Sequence, residues 1–542
     1  MAGSATDEDE PREAVPSGHE PAAAGPVGEP PALGGRYARY VLGVLMVVYT
    51  FNFLDRQILA ILANDLRADL GLDDAQLGFL YGTAFAVFYA VFGIPLGRLA
   101  DVWNRRSLIA IGLGFWSVMT ALSGLARSFV QLAIPRIGVG VGEASASPSA
   151  YSMLSDYFPP AKRATALALY SSGIYIGAGL GLIIGGQIAG RWDAAWTSPP
   201  LGLRGWQVAF FAVGLPGLLL ALWVRSLREP VRGQADGLIA PPEPHPLRAF
   251  LYELRSVLPP LTLYHLVRAG GGLRALRINL AIVVIIAAAT LALVHGTGDV
   301  AQWVAFGAGI YASASWVQAV GLRDRPTHAL VFGTRSLRYA TFGFAFLAFT
   351  GYGVGFWVVP YIGRTYAVNV TDLGLWTGLG ASVGGWLGVV LGGVLADRLR
   401  ARWPSGRLYV GVITALAPIP FVLWLLQTES LTVAYGLNFF VAMLTPMWVG
   451  AGAATVQELV LPRMRASASA FFLLVITFVG LALGPYLIGK LSVATGSLRT
   501  ALLLGPLANL PALVLFWLSA RTMAQEQRTV LERARASGET GI

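Results

Sequence analysis

The chain has 542 residues, 55% of them hydrophobic and only 13% charged, with a mean hydropathy of +0.62. A soluble domain carries about 25% charge, so that class is excluded, and the absence of cysteine removes disulfides, thiolate nucleophiles and Cys-ligated metal sites. The net charge of +10 does not indicate nucleic acid, because Arg and Lys concentrate in alternate loops between apolar runs, an orientation signal rather than a binding stripe.

Residues 1–35 are acidic and rich in Pro, Ala and Gly, and read as a disordered tail without the basic start and apolar core of a signal peptide. Apolar runs long enough to span a bilayer as helices follow at 37–62, 75–100, 107–126, 130–157, 162–190 and 205–227. Two more lie at 276–296 and 301–321, and six at 337–363, 372–397, 407–426, 430–455, 462–490 and 498–521. About fourteen spans make this an all-α polytopic membrane protein. Arg105 and Arg106, Lys162 and Arg163, Arg225 to Arg232, Arg398 to Arg407, and Arg463 with Arg465 all fall on one side. That side is read as the cytoplasm, with both termini in it. His19, His245, His265, His295 and His328 are scattered without ligand spacing, so no metal site is expected.

An internal repeat divides the chain. "GRLAD" (Gly97–Asp101) and "GVLAD" (Gly393–Asp397) each close the second span of a six-span set, while "KRATA" (Lys162–Ala166) and "MRASA" (Met464–Ala468) each open the fifth. Parallel repeats of this kind build transporters whose halves rock about a site at the bilayer midplane. The expected organisation is a six-helix bundle over 36–228, a cytoplasmic connector over 229–275, an inserted two-helix hairpin over 276–322, a second bundle over 336–522, and a cytoplasmic tail over 523–542. Within the connector, "LRAFLYELRSVL" reads as a helix lying on the membrane surface. Near-matches to nucleotide motifs fail: "GPYLIGKL" (Gly484–Leu491) has Leu491 where Ser or Thr would hold Mg²⁺, and it sits inside a span. No cofactor and no enzymatic chemistry are expected, and transport energy would come from a gradient.

"GRLADVWNRR" (Gly97–Arg106) resembles the loop signature of the major facilitator superfamily, Gly-x-x-x-Asp-x-x-x-Arg-Arg. "NFLDRQ", "RIGVGVGEASASPSAYSMLSDYFPPAKRATAL" and "FTGYGVGFWVVPYIGR" together are similar to the Spinster branch in a bacterial version. The resemblance implies the two-bundle facilitator fold in an inner membrane, and an amphiphilic, anionic, lipid-like substrate. The pair at 276–321 departs from the usual twelve-helix plan.

Four ionisable residues lie within spans: Asp55, Arg56, Arg136 and Glu143. Asp55 and Arg56 point about 100° apart, so they cannot neutralise each other. Counting ~1.5 Å per residue places Asp55 and Arg136 at one depth, and the resemblance puts their helices side by side at the cavity, so an ion pair between them is expected. Glu143 shares a face with Arg136 but lies ~10 Å nearer the cytoplasm, without a fixed cation. It is the leading proton carrier, with Asp55 second, while Arg56 and Arg136 could hold an anionic head group. The competing reading is a structural network that staples the first and fourth helices.

The resemblance also implies a cytoplasmic gate, in which Asp101 meets the helix start near Arg463–Ser467, and Asp397 repeats this against Lys162–Thr165. In both, a carboxylate faces the positive end of a helix dipole. Gly97 belongs to the same signature, and Arg105 or Arg106 could pair with Asp156; the alternative is that these residues only set topology. Tyr49, Asn52, Tyr81, Tyr170, Tyr175, Tyr352, Trp357 and Trp448 are candidate cavity-lining residues, and Gly351, Gly353 and Gly355 before Pro360 make a bendable helix. The expected function is proton-coupled transport of an amphiphilic anion by a monomer in contact with membrane lipid; a drug exporter or a non-transporting sensor are the alternatives.

Overall fold

A computed structural model describes residues 33–237, 243–268 and 270–539 and is helical throughout, with no strand among the described residues. The acidic tail read over 1–35 therefore lies, except for its last three residues, outside the described residues. The first bundle comprises α1 (Arg36–Ile61), α2 (Asp74–Val102, kinked at Gly82), α3 (Arg105–Ser123), α4 (Phe129–Glu143 continuing as Ala146–Tyr157), α5 (Pro160–Ala195) and α6 (Gly205–Arg225). Next come α7 (Gly272–Thr297) and α8 (Val300–Arg323). The second bundle is α9 (Arg335–Tyr366), α10 (Val370–Arg402), α11 (Gly406–Leu425), α12 (Leu431–Glu458), α13 (Pro462–Thr495) and α14 (Leu498–Arg528).

Twelve of these are long and apolar enough to cross a membrane. The other two are α4 and α8. The turn at Ala144–Ser145 breaks α4 into two short pieces, and Gln302, Ser313, Ser315 and Gln318 dilute the apolar content of α8. In contrast, α7 is intensely apolar yet has only 6% of its apolar window buried, so nearly its whole circumference faces outward. On the face it turns to α8, Asn279 donates to Ser315 Oγ (3.1 Å) and Gln318 Oε1 (3.0 Å) and accepts from Tyr311 OH (2.8 Å). Fully paired amides of this kind hold helices together where no water competes.

The stretch "LRAFLYELRSVL" is found in a helix, Pro246–Val257, which packs on α2 with Ser256 and Val257 while Leu247 and Tyr252 stay exposed. That distribution is what a helix half-sunk in an interface requires.

The halves touch most closely at the end carrying the α1–α2 turn, here called the sealed end; the opposite end, holding Arg105 and Arg400, is the basic end. Contact at the sealed end is backbone to backbone. A Cβ at Gly78 of α2 would stand 2.4 Å from the Pro485 carbonyl of α13, and one at Gly186 of α5 would stand 2.5 Å from the Val370 carbonyl of α10. Small residues permit such crossings, and in a bilayer close packing replaces the missing hydrophobic drive. Gly78→Ala should therefore cost about 1–3 kcal/mol through overpacking. A lowered melting temperature in detergent is the expected readout, and an unchanged one would mean the seam is looser than this.

Candidate functional site

Residues Asn52, Asp55 and Arg56 sit on α1 at spacings of three and four, so Asn52 shares a face with both others. The residues 55 and 56 diverge as neighbours on a helix must. Arg56 turns toward the space between the bundles. Its guanidinium carbon lies 4.2 Å from the Phe85 ring centroid, 4.6 Å from Phe53 and 4.9 Å from Tyr89, a three-ring cage for a cation. Its Nε donates to Glu143 Oε2 at 2.7 Å, and Glu143 is fully buried. Asp55 turns the other way, into the first bundle, toward Trp116 and Thr120 of α3.

The pairing thus differs from the one expected. Arg136 forms no ion pair with the Asp55 carboxylate; its Nη1 donates to the Asp55 main-chain carbonyl at 3.1 Å, and its Nε and Nη2 are buried without partners. Glu143 does have a fixed cation, supplied by Arg56. An Arg side chain reaches farther along the bundle than the helical rise between neighbouring turns, so equal Cα depth does not decide which acid it meets. Arg136 remains within electrostatic reach of both Glu143 and Asp55, so the four charges form one balanced group, two acids against two bases. Asn52 stands beside Glu143, and its amide atoms, like Asp55 Oδ1, Glu143 Oε1, Trp116 Nε1 and Thr120 Oγ1, are buried without hydrogen-bond partners.

Two adjoining hollows between the bundles, about 620 and 780 Å³ in open volume, share Gln57, Tyr175, Gly351 and Gly355. Arg56, Phe53, Phe85, Tyr81 and Tyr352 line the first, and Val358, Val359, Asn438 and Val441 line the second. Tyr81 OH donates to Gln57 Oε1 at 2.6 Å. Four proposed lining aromatics are elsewhere. Tyr49 stacks on Tyr170 at 4.4 Å inside the first bundle, Trp357 is buried and donates to the Pro485 carbonyl at 2.8 Å, and Trp448 packs between Phe344 and Phe472 in the second core. Asn52 also faces the charge group rather than the hollow. Helical spacing gives no means of telling a cavity face from a bundle face when both are apolar.

At the sealed end the halves are latched by a cluster that the sequence reading passed over. Asp74, at the start of α2, accepts two hydrogen bonds from Arg364 of α9, both 2.9 Å, and one from Ser492 of α13 at 2.7 Å. Arg364 Nε also donates to Asn64 Oδ1 at 2.7 Å. The forked geometry is the strongest form of carboxylate recognition. A signal did exist: Arg364 is a basic residue on the side where basic residues are scarce, and so needs a partner.

At the basic end the expected pair of Arg105 with Asp156 forms, but the expected contacts between the halves do not. Arg105 is fully buried and pairs with Asp156 (2.5 Å) and Glu229 (2.7 Å), but all three belong to the first half of the chain. Arg106 bonds to Glu229 through its main-chain N–H (3.0 Å) and to the Leu227 carbonyl, not to Asp156. Asp101 is exposed and makes no hydrogen bond with Arg463–Ser467; Arg463 instead pairs with Asp324 at 2.8 Å and with Glu539. Asp397 is 79% exposed and reaches only Arg407, at 3.6 Å, rather than Lys162–Thr165. A Cβ at Gly97 would meet nothing within 4 Å. The reason is conformational: with the halves parted here, a contact that spans them has nothing to span.

Two helical bundles joined tightly at one end, open at the other and charged between them constitute a membrane transporter. The chain belongs to the Major Facilitator Superfamily, whose sequence signature matches residues 45–485. It is 27% identical to an MFS-type efflux pump of Mycolicibacterium smegmatis over 93% of this chain and 96% of that one. Protein spinster of Drosophila melanogaster is 26% identical over 85% of this chain, which spans 63% of the fly protein. Among solved structures, a bacterial homolog of the human lysosomal transporter Spinster, in an inward-facing and occupied conformation, superposes with a TM-score of 0.64 at 25% identity, covering 92% of this chain and 99% of that one. The chain thus has the facilitator fold and is similar along most of its length to Spinster-type transporters.

If the Asp74–Arg364 latch holds the sealed end, Arg364→Ala should expose the α2–α13 seam. A cysteine placed at Ala482, which is wholly buried in an otherwise cysteine-free chain, is expected to react with a membrane-impermeant maleimide at least tenfold faster in that background. Equal rates would mean the latch is dispensable.

Proposed function

We propose that this protein is a proton-coupled secondary transporter of amphiphilic anions, working by alternating access as a monomer in a bacterial inner membrane, with both termini in the cytoplasm. The observation that carries the reading is Arg56, held by Glu143 and three aromatic rings at the cavity wall. Only its Nε is bonded to protein, so the remaining guanidinium donors are available to a carboxylate or phosphate. The rest of the hollow is largely apolar and suits a hydrocarbon tail.

Coupling follows from charge balance. With Asp55 and Glu143 ionised, the group is neutral overall. A proton on either acid leaves one uncompensated positive charge beside the cavity, which favours an anion; loss of the proton restores neutrality and releases it. The sealed end would face outward and the basic end the cytoplasm, since basic residues are retained inside. In this assignment the α7–α8 pair crosses the bilayer, and because two spans preserve orientation, the second half keeps its sidedness.

The mycobacterial relative favours a second reading, export of hydrophobic organic compounds or drugs. Proteoliposomes with an imposed pH gradient separate the two: uptake of a lysophospholipid but not of a cationic drug supports the first, and the reverse supports the second. Specific binding of either with no flux would make the protein a sensor. Glu143→Gln is expected to lower gradient-driven flux at least tenfold with the protein still folded, and unchanged coupling would remove Glu143 from the mechanism.

A further inference from the structure

The halves meet along two seams related by the internal repeat. In one, α5 faces α10, where a Cβ at Gly179 would stand 2.3 Å from the Gly378 carbonyl. In the other, α2 faces α13, where a Cβ at Gly82 would stand 2.6 Å from the Leu481 carbonyl. Toward the basic end both helix pairs diverge, which leaves a wedge in each seam. On α5, the face bearing Gly179 and Tyr175 continues at helical spacing through Ala168 and Thr165, and both are exposed. Across from it, a Cβ at Gly393 of α10 would meet nothing within 4 Å. That wedge is open.

The α2–α13 wedge is filled by α8. Trp303, Phe306, Gly309, Trp316 and Val320 recur at multiples of three, four or seven and so lie on one face. Trp303 meets Tyr486 of α13 edge-on, with centroids 5.5 Å apart, and Phe306 meets Phe478 at 5.8 Å. At Gly309 an added Cβ would lie 2.5 Å from Phe478 of α13 and 2.8 Å from Val87 of α2, so the backbone of α8 runs against both halves at once. Farther down, Trp316 and Val320 join Val91 of α2 in a buried apolar cluster.

We infer that the α7–α8 hairpin is a one-sided lateral seal, which closes the α2–α13 wedge to the bilayer and leaves the α5–α10 wedge as the side on which a membrane-borne molecule reaches the cavity. The seal stands on packing alone; its use by a lipid-like substrate rests on the function proposed above.

The absence of cysteine makes the test direct. Val91→Cys and Ala168→Cys would be reconstituted separately in phosphatidylethanolamine–phosphatidylglycerol vesicles containing a phospholipid with a maleimide on its acyl chain. Ala168→Cys is expected to react at least tenfold faster than Val91→Cys, and combining Val91→Cys with Phe306→Ala and Trp316→Ala should raise its rate at least fivefold. Equal rates in the intact hairpin, or no rise when it is loosened, overturn the seal. In the same vesicles, labelling Ala168→Cys should cut lysophospholipid flux at least tenfold, whereas labelling Leu291→Cys on the outer face of α7 should not; full flux after labelling at 168 overturns the route. If the reactivity contrast holds while unlabelled protein moves no lysophospholipid, the seal survives and the amphiphile reading falls.

Discussion

Everything in the first bundle is arranged around the cost of placing charge at the depth of a bilayer centre. On insertion scales each such residue costs roughly 2.5–3.5 kcal/mol, and four occur within two helices. Pairing is the usual remedy, yet only Arg56 and Glu143 are in direct contact. Arg136 is met by a main-chain carbonyl and Asp55 by the polar edge of α3. The group is neutral in sum, two acids against two bases, so a proton gained by either acid changes its net charge by one.

The repeat explains which polar clusters are scaffolding. In the first half, Arg105 is surrounded by Asp156 and Glu229; in the second, Arg407 contacts Glu458 and Asp397, and Glu458 also meets Arg400 at 3.2 Å. Both clusters tie helices within a half and none of these contacts joins the halves. The buried version around Arg105 is the costlier to dismantle, since removing one partner leaves an uncompensated charge. Between the halves the polar links concentrate at the other end, on Asp74 and Arg364. One end is therefore held by a few specific bonds, while the clusters at the other end brace each half separately.

Much of this is legible in the sequence, and what is not has separate physical causes. The apolar runs, the doubled "GRLAD" and "GVLAD" signals, and the four buried charges follow from composition and spacing, which are one-dimensional quantities. Partner choice among the charges is not. Helical geometry says that Asp55 and Arg56 diverge, but not which of them meets the cavity, and the reach of the Arg56 stem reversed the pairing with Glu143. Asp101 and Asp397 failed for another reason: a sequence motif records contacts made at any stage of a cycle, whereas one structure records one stage. Arg364, the last residue of "FTGYGVGFWVVPYIGR", lies at the end of a span and not within one, so its need for a partner follows only from its sidedness.

The inserted pair raises the question of how a body that touches both halves permits them to move. Its links to the two sides are unequal in kind. Toward α2, α8 and the helix Pro246–Val257 form continuous apolar packing through Val87, Val91 and Val257, contacts that are lost outright if the surfaces part. Toward α13 the attachment is made by ring contacts, by Asp324 at the far end of α8, which pairs with Arg463 at 2.8 Å, and at the hairpin tip by Asp299, which pairs with Lys490 at 2.6 Å and accepts from Tyr486 OH at 2.6 Å. Lys490 and Asp299 are both about a quarter exposed, so water can replace their bond at little cost. The hairpin is thus held to the first half chiefly by apolar packing, and to α13 by ring contacts and by ion pairs at both of its ends.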